Sequence, residues 1–315
     1  MSRPHNISRR AARALTTVAV LFALVLSVLP VAAQEATPTS SDSLLAGLGY
    51  PDLTVTTDGI DFDIPAEVAA DRYRVVLQNN SALATDIEFY QLPEGVTTDD
   101  LLTIFEQEDE SFAVPDYFYE IVFNGGAVTD PGQSSDVVLD LTPGEWVVNL
   151  FTYNEESDEE ANIVKTITVT GEMPAVDDPA GAIEIGLTEM AFVLPDSMAA
   201  GPHVWKVVNT GQQPHHLILS QVPDGTTKEQ VAELASSFFV PPASPEAGAA
   251  PAAPALGFED VVDVAETLVL SGGQANWIAV DLAPGTYAAI CFMPAAGTDL
   301  PHVMMGMVAV FTVSA

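Results

Sequence analysis

The chain repeats one ordered pattern of residues, and this duplication restricts its possible folds more than any other feature. Residues 78–97 align without gaps on residues 208–227, at a constant offset of 130 positions. Two further matches follow in the same order along the sequence: Asp140–Trp146 with Asp281–Tyr287, and Val164–Val169 with Val308–Val313. The duplication predicts two tandem domains of ordinary size, at residues 46–171 and 183–315, joined by a linker at 172–182.

Both copies consist of segments that favour strands. Residues 72–77 and 203–208 combine β-branched and aromatic side chains ahead of a turn that contains Asn. Later apolar segments are joined by Pro-Gly turns, at 143–144 in the first copy and 284–285 in the second. Short strands with such turns predict an all-β fold of two tandem Greek-key β-sandwiches. One short helix is expected in each copy, behind a Thr placed to cap it, at Thr98–Glu106 and at Lys228–Phe238.

Residues 1–33 have the features of an export signal. Four arginines precede an apolar stretch at 14–29, and the small residues at 31–33 form a cleavage motif. We expect cleavage after Ala33, then a disordered linker at 34–45, in a bacterial protein that is periplasmic, attached to the cell envelope or extracellular. The alternative is an uncleaved membrane anchor, because the apolar stretch approaches spanning length.

No later segment of the sequence is long and apolar enough to span a membrane, so no stable membrane span is expected after signal cleavage. The arginine pair Arg9-Arg10 leaves the choice between the Sec and twin-arginine export routes open.

The expected mature chain is strongly acidic. Removal of the signal takes away four of the nine basic residues and leaves five against 44 acidic ones, a net charge of −39. Such a surface repels nucleic acid and anionic lipid, so neither is an expected partner. It would attract a partner with a basic docking surface, although a solvated acidic coat is the simpler explanation.

Cys291 is the only cysteine of the chain. In an oxidising compartment, where cysteines usually pair, a single thiol forms an intermolecular disulfide, stays buried and inert, or binds a metal. Its companions in the second copy favour a metal, because His302 and Met307 follow it and His215 precedes it. Two His, one Cys and one Met are the ligands of a mononuclear blue-copper site, in which a trigonal plane carries a weak axial thioether.

The spacing of these residues resembles that of the cupredoxins, the plastocyanin-like blue copper proteins. Residues 209–215 follow their N-x-G-x-x-P-H pattern, and residues 302–308 follow their H-x-x-x-G-M-V pattern. The resemblance implies one type 1 copper, with ligands His215, Cys291, His302 and, axially, Met307. It further implies one-electron transfer to a redox partner through an exposed edge of His302. The chain departs from the family by having ten residues between Cys291 and His302, where the family has few.

Neighbouring residues offer alternatives to two of these ligands. His215 and His216 are adjacent, so in a strand they point to opposite faces and one of them can reach the metal. The motif favours His215. Met304 and Met305 are alternative axial ligands, although Met307 fits the motif better.

The first copy keeps the scaffold residues and none of the ligands. At the positions of His215, Cys291, His302 and Met307 it has Thr85, Leu150, Asp158 and Ile163. The joint presence of the soft ligands in one copy favours a metal site over incidental packing of Cys and Met.

Two other functions stay open at this point. One is a copper carrier or buffer without redox turnover, and the other is a metal-free β-sandwich protein for adhesion or interaction at the envelope. An enzyme is not expected, because five histidines are too few for the trinuclear copper centre of a multicopper oxidase.

Overall fold

The computed structural model describes residues 43–105, 114–154, 159–239, 256–298 and 300–315. The predicted signal peptide and most of the predicted linker at 34–45 lie outside these residues. At the end of that linker Ser43 caps a short 3-10 helix at Leu44–Leu48, and Leu45 is fully buried. The described structure therefore begins inside the segment predicted as a linker. No helix in the described ranges is long and apolar enough to cross a membrane.

The two halves of the chain contain the same nine strands and one α-helix in the same order within the described residues. In the first half these are β1 (Asp52–Thr57), β2 (Phe62–Asp63), β3 (Glu67–Ala69), β4 (Asp71–Asn79), β5 (Ala84–Gln91), α1 (Thr98–Phe105), β6 (Val122–Thr129), β7 (Ser134–Leu141), β8 (Gly144–Asn154) and β9 (Glu159–Thr170), with a 3-10 helix at Asp116–Glu120 between α1 and β6. In the second half they are β10 (Ile183–Thr188), β11 (Ala191–Val193), β12 (Met198–Ala199), β13 (Gly201–Asn209), β14 (His215–Val222), α2 (Lys228–Ser236), β15 (Val262–Leu270), β16 (Ala275–Leu282), β17 (Gly285–Ile290) and β18 (Val308–Ser314), with 3-10 helices at Phe258–Asp260 and His302–Met305.

The predicted all-β fold class is confirmed, and each half has the expected short helix. Both helices begin at the residue predicted from the sequence, Thr98 and Lys228. In the second half Thr227 caps α2 by accepting a hydrogen bond from the backbone N–H of Gln230 at 3.3 Å. This contact satisfies one of the donors that a helix leaves unpaired at its start.

The strands form two facing sheets, and each sheet continues from one half into the other. One has the order β11-β10-β13-β16-β7-β4-β1-β2, and the other β12-β18-β17-β14-β15-β6-β5-β8-β9-β3. The joints are antiparallel pairs, β7 with β16, where Val138 lies opposite Trp277, and β6 with β15, where Asn124 lies opposite Leu270. Backbone groups at these positions, which would otherwise lie on open sheet edges, are thereby paired with the other half.

An apolar core lies between the sheets and runs through both halves. Trp146 in β8 and Trp205 in β13 are among its largest side chains and are buried. An aromatic side chain of this size removes about 150–250 Å² from water, which makes it a main contributor to core stability. In the second half this packing aligns β14, β17 and β18 side by side. These three strands lead to or from every predicted metal ligand.

A buried asparagine holds the same turn in both halves. Asn209 donates from Nδ2 to the backbone oxygen of Gln213 at 2.7 Å, and its Oδ1 accepts from the backbone two residues on at 2.8 Å. Asn79 donates from Nδ2 to the backbone oxygen of Leu83 at 2.7 Å, and its Oδ1 accepts from the backbone N–H of Ser81 at 2.9 Å. The Asn that the sequence marks in each copy thus fixes the path of the chain into β5 and β14.

Arg72 connects the two halves and the segment between them. Its guanidinium pairs with both carboxylate oxygens of Asp140, at 2.6 and 2.9 Å, and with Asp178 of the predicted interdomain linker at 3.1 Å. It also stacks over the ring of Trp277 in the second half, 3.8 Å from the ring centroid. With 6% of its surface exposed, Arg72 combines a bidentate ion pair with a cation–π contact.

Candidate metal centre

Three of the predicted ligands converge in the second half. His215 opens β14, Cys291 directly follows β17, and His302 opens the 3-10 helix that precedes β18. Each residue offers one donor atom, all of these atoms lie within 4.8 Å of one another, and all three residues are buried. Pairing of β14 with β17 and of β17 with β18 therefore assembles donors that lie far apart in the sequence.

His215 and His216 contact different partners, as the alternation of side chains along a strand predicts. His215 directs Nδ1 toward the sulfur of Cys291, whereas Nε2 of His216 accepts a hydrogen bond from the backbone N–H of Phe292 at 2.7 Å. The ring of His216 also packs edge-on against that of Phe292. His216 thus holds the backbone next to Cys291 and is not part of the donor group.

Backbone hydrogen bonds fold back the segment between Cys291 and His302. In its described part, the N–H of Ala295 donates to the oxygen of Leu300 at 3.0 Å, and the N–H of His302 donates to the oxygen of Met293 at 2.8 Å. His302 is 0% exposed. The expected exposed edge of His302 is therefore wrong, because the whole side chain is buried and its Nε2 lies 3.4 Å from the side-chain oxygen of Gln213. The same folding returns His302 to Cys291 despite the long gap.

Met307 lies in the same buried apolar cluster as Cys291. It is fully buried, whereas the alternative Met305 is 42% exposed. Gly306 has a φ of 97°, a left-handed conformation that suits glycine, and it turns the chain inward. The N–H of Met307 then donates to the oxygen of His302 at 2.9 Å. The axial role of Met307 stays a prediction.

The separations between the donor atoms suit a shared metal ion. The sulfur of Cys291 lies 3.9 Å from Nδ1 of His215 and 3.5 Å from Nδ1 of His302. In a trigonal plane with about 2.0 Å to nitrogen and about 2.3 Å to sulfur, the sulfur and a nitrogen lie about 3.7 Å apart. The two separations bracket that value, so the sulfur of Cys291 lies at a distance from each imidazole that suits a shared metal ion.

Burial sets the protonation states of the donors. It lowers the pKa of His215 to about 4 and that of His302 to about 3, because a charged imidazolium would lose its solvation. Burial raises the pKa of Cys291 to about 12, although backbone hydrogen bonds from His216 and Met293 act in the opposite direction. At neutral pH the centre therefore contains two neutral imidazoles and one thiol.

These pKa values predict how metal affinity depends on pH. Binding has to release the thiol proton of Cys291. His215 and His302 are already neutral above about pH 4, so metal binding releases no proton from them. We expect the apparent Cu(II) affinity to rise about tenfold per pH unit between about pH 5 and 9, and to fall as the pH falls. Competition with a chelator of known protonation constants measures this slope. A slope of zero, or of two or more protons per copper in this range, would contradict the assigned states.

Gln213 is not among the site residues that the sequence predicts. Its side-chain Oε1 accepts a hydrogen bond from the N–H of Ala296 at 2.6 Å and lies 3.4 Å from Nε2 of His302. The duplication contains a sign of its role, because Gln occurs at this position in the copy with the ligands, whereas the copy without them has Leu83.

The strand registers identify the same location in the first half. Glu88 lies opposite Asn149, as Ile218 lies opposite Ile290 in the second half, so Leu150 takes the place of Cys291. At the position of His215 the first half has Thr85, and both Thr85 and Leu150 are fully buried. Thr85 and Leu150 thus replace two of the donors with groups that do not bind copper, and Asp158, at the position of His302, lies outside the described residues.

No family model and no curated protein matches the chain. Among solved structures, it is similar to a dithionite-reduced auracyanin from Roseiflexus castenholzii, at 21% identity and a TM-score of 0.27, over 44% of this chain and all of the auracyanin. Auracyanin A, a "blue" copper protein from Chloroflexus aurantiacus, matches at 25% identity and a TM-score of 0.23, over 37% of this chain and 88% of that one. Lac15 from a marine microbial metagenome matches at 15% identity and a TM-score of 0.19, over 79% of this chain and 64% of that one. Because these TM-scores are low, the chemistry of the centre is inferred from its own geometry.

Proposed function

We propose that the chain is an exported copper protein that transfers single electrons through one type 1 copper in its second half. One observation carries the proposal. The sulfur of Cys291 and the Nδ1 atoms of His215 and His302 meet in a buried location, at separations that suit a trigonal copper site.

Copper bound by these residues would supply one-electron chemistry between Cu(II) and Cu(I), which a set of thiolate, imidazole and thioether ligands suits. The residues themselves supply a rigid frame. His215 and Cys291 are held by paired strands, and His302 is held by backbone hydrogen bonds to Met293 and Met307. A frame that moves little between the two oxidation states permits electron exchange with little rearrangement. Burial of all three residues also keeps water from the ligands.

The proposed role is that of an electron carrier rather than an enzyme. The whole sequence has five histidines, and two of them are assigned to this one centre. The net charge of −39 in the expected mature chain suits a redox partner with a basic docking surface. The first half, which has Thr85 and Leu150 in place of ligands, would then serve as a structural or partner-binding module.

Titration of the purified mature protein with Cu(II), followed by visible spectroscopy, tests the proposal. We expect uptake of one copper per chain with an intense thiolate-to-copper band, and a reversible wave in voltammetry. Tight binding of colourless Cu(I) without a reversible wave would indicate a carrier or buffer. Absence of copper uptake would leave the metal-free interaction protein as the better description.

A further inference from the structure

Gln213 contacts both the segment that follows Cys291 and one of the proposed ligands. Its backbone oxygen accepts from Asn209 at 2.7 Å, which fixes the position of the residue. Its side-chain Oε1 accepts from the N–H of Ala296 at 2.6 Å and lies 3.4 Å from Nε2 of His302. The amide of Gln213 is thus placed between the turn before β14 and the segment that follows Cys291.

The contact with Ala296 determines which end of the Gln213 amide faces His302. A backbone N–H can only donate, so the atom that it meets has to be the carbonyl oxygen of the amide and not its nitrogen. A carbonyl oxygen has two lone pairs, and the second is available to Nε2 of His302. Because this oxygen can only accept, a hydrogen bond between the two groups requires the proton to be on Nε2 of His302.

A proton on Nε2 leaves Nδ1 of the neutral imidazole with its lone pair. That nitrogen lies 3.5 Å from the sulfur of Cys291, on the side where the donors converge. The acceptor on Gln213 therefore selects the tautomer of His302 that is ready to bind a metal. Hydrogen bonds of this kind orient histidine ligands in many metal sites.

We propose that Gln213 is a positioning residue that fixes the tautomer and orientation of His302 and ties the segment after Cys291 to the centre. The effect on copper rests on the proposed function, whereas the effect on the tautomer does not. The role also explains how His302 is held when ten residues separate it from Cys291.

The first half provides a natural model for removing this side chain. Leu83 occupies the equivalent position, and its backbone oxygen accepts from Asn79 at 2.7 Å, as that of Gln213 accepts from Asn209. The turn therefore forms with Leu as well as with Gln. We expect Gln213→Leu to fold and to lose only the side-chain acceptor.

Nitrogen-15 NMR of the copper-free protein tests the tautomer, using long-range correlations of the His302 ring. The wild type is expected to show the Nε2–H form. In Gln213→Leu the buried Nε2–H loses its acceptor, which shifts the tautomer ratio about 5- to 150-fold toward Nδ1–H. Gln213→Glu keeps a carboxyl oxygen at this place and is expected to retain the wild-type tautomer. Gln212→Leu, a change at the exposed neighbour, is the matched control and is also expected to behave as the wild type.

Dissociation of copper from the loaded protein is the second measurement. We expect it to be about 10- to 100-fold faster in Gln213→Leu than in Gln212→Leu or Gln213→Glu. An unchanged tautomer ratio in Gln213→Leu overturns the role of Gln213. A shifted ratio in a protein that takes up no copper supports the tautomer assignment and rejects the proposed function alone.

Discussion

Replacement of Cys291 by Ser is expected to abolish the intense visible absorption of the copper-loaded protein. The band requires a sulfur-to-copper bond, and Cys291 is the only cysteine of the chain. A serine hydroxyl is a hard donor that gives up its proton much less readily than a thiol, so it does not replace the thiolate. Copper affinity should fall by more than about 100-fold. Loss of a residue that hydrogen-bonds to a ligand usually lowers metal affinity about 10- to 100-fold, and loss of the ligand itself should lower it further.

The matched control for Cys291→Ser is His203→Ala. His203 lies in β13, and its Nε2 contacts the backbone oxygen of Ala199 at 2.8 Å, away from the three donors. This variant removes a potential copper-binding side chain and should keep both the band and the stoichiometry. Equal visible spectra for Cys291→Ser and the wild type, recorded with copper bound, would exclude the proposed centre.

Replacement of Arg72 by Met is expected to lower the free energy of unfolding by about 2 to 4 kcal/mol. Met fills much of the volume of the Arg72 stem but removes the ion pairs with Asp140 and Asp178 and the charge over the ring of Trp277. Asp140 and Asp178 are partly exposed, at 32% and 45%, so water compensates part of their loss. The expected loss of unfolding free energy is therefore smaller than for an ion pair in which both side chains are buried.

Urea denaturation of the copper-free protein, followed by circular dichroism, measures this change. Lys206→Met is the matched control, because Lys206 pairs with the same Asp178 at 2.7 Å without the stacking or the bidentate pair. We expect it to cost less than about 1 kcal/mol, as is usual for ion pairs near the surface. Equal effects of the two substitutions would show that the contacts of Arg72 with Asp140 and Trp277 contribute little.

The all-β fold and the two helices could be predicted because they depend on local patterns. β-Branched residues, Pro-Gly turns and a capping Thr act within a few positions of one another, and Thr98 and Lys228 begin helices as expected. Because the sequence is duplicated, each strand or helix predicted in one half could be compared with its counterpart in the other. The predicted domain boundaries stay a prediction, and the buried Leu45 shows packing inside the segment expected to be a linker.

The continuous sheets could not be predicted in this way. The joints pair Asn124 with Leu270 and Val138 with Trp277, residues more than a hundred positions apart that have no distinctive sequence pattern. Which edge strands meet depends on the shapes of two finished sandwiches and not on the composition of any one strand. The contacts of Arg72 with Asp178 and Trp277 could not be predicted for the same reason.

Within the candidate centre, the sequence by itself determined which chemical groups are available: one thiol, neighbouring histidines, and a methionine behind a glycine, all in one of two copies. Only the tertiary structure decided their environment. It brought Cys291 to within 3.9 and 3.5 Å of the two imidazoles, buried the edge of His302 that family resemblance had implied to be exposed, and placed Gln213 beside it. Ligand identity is a property of single residues, whereas distance, burial and protonation state arise from segments that meet only when the sheets pack.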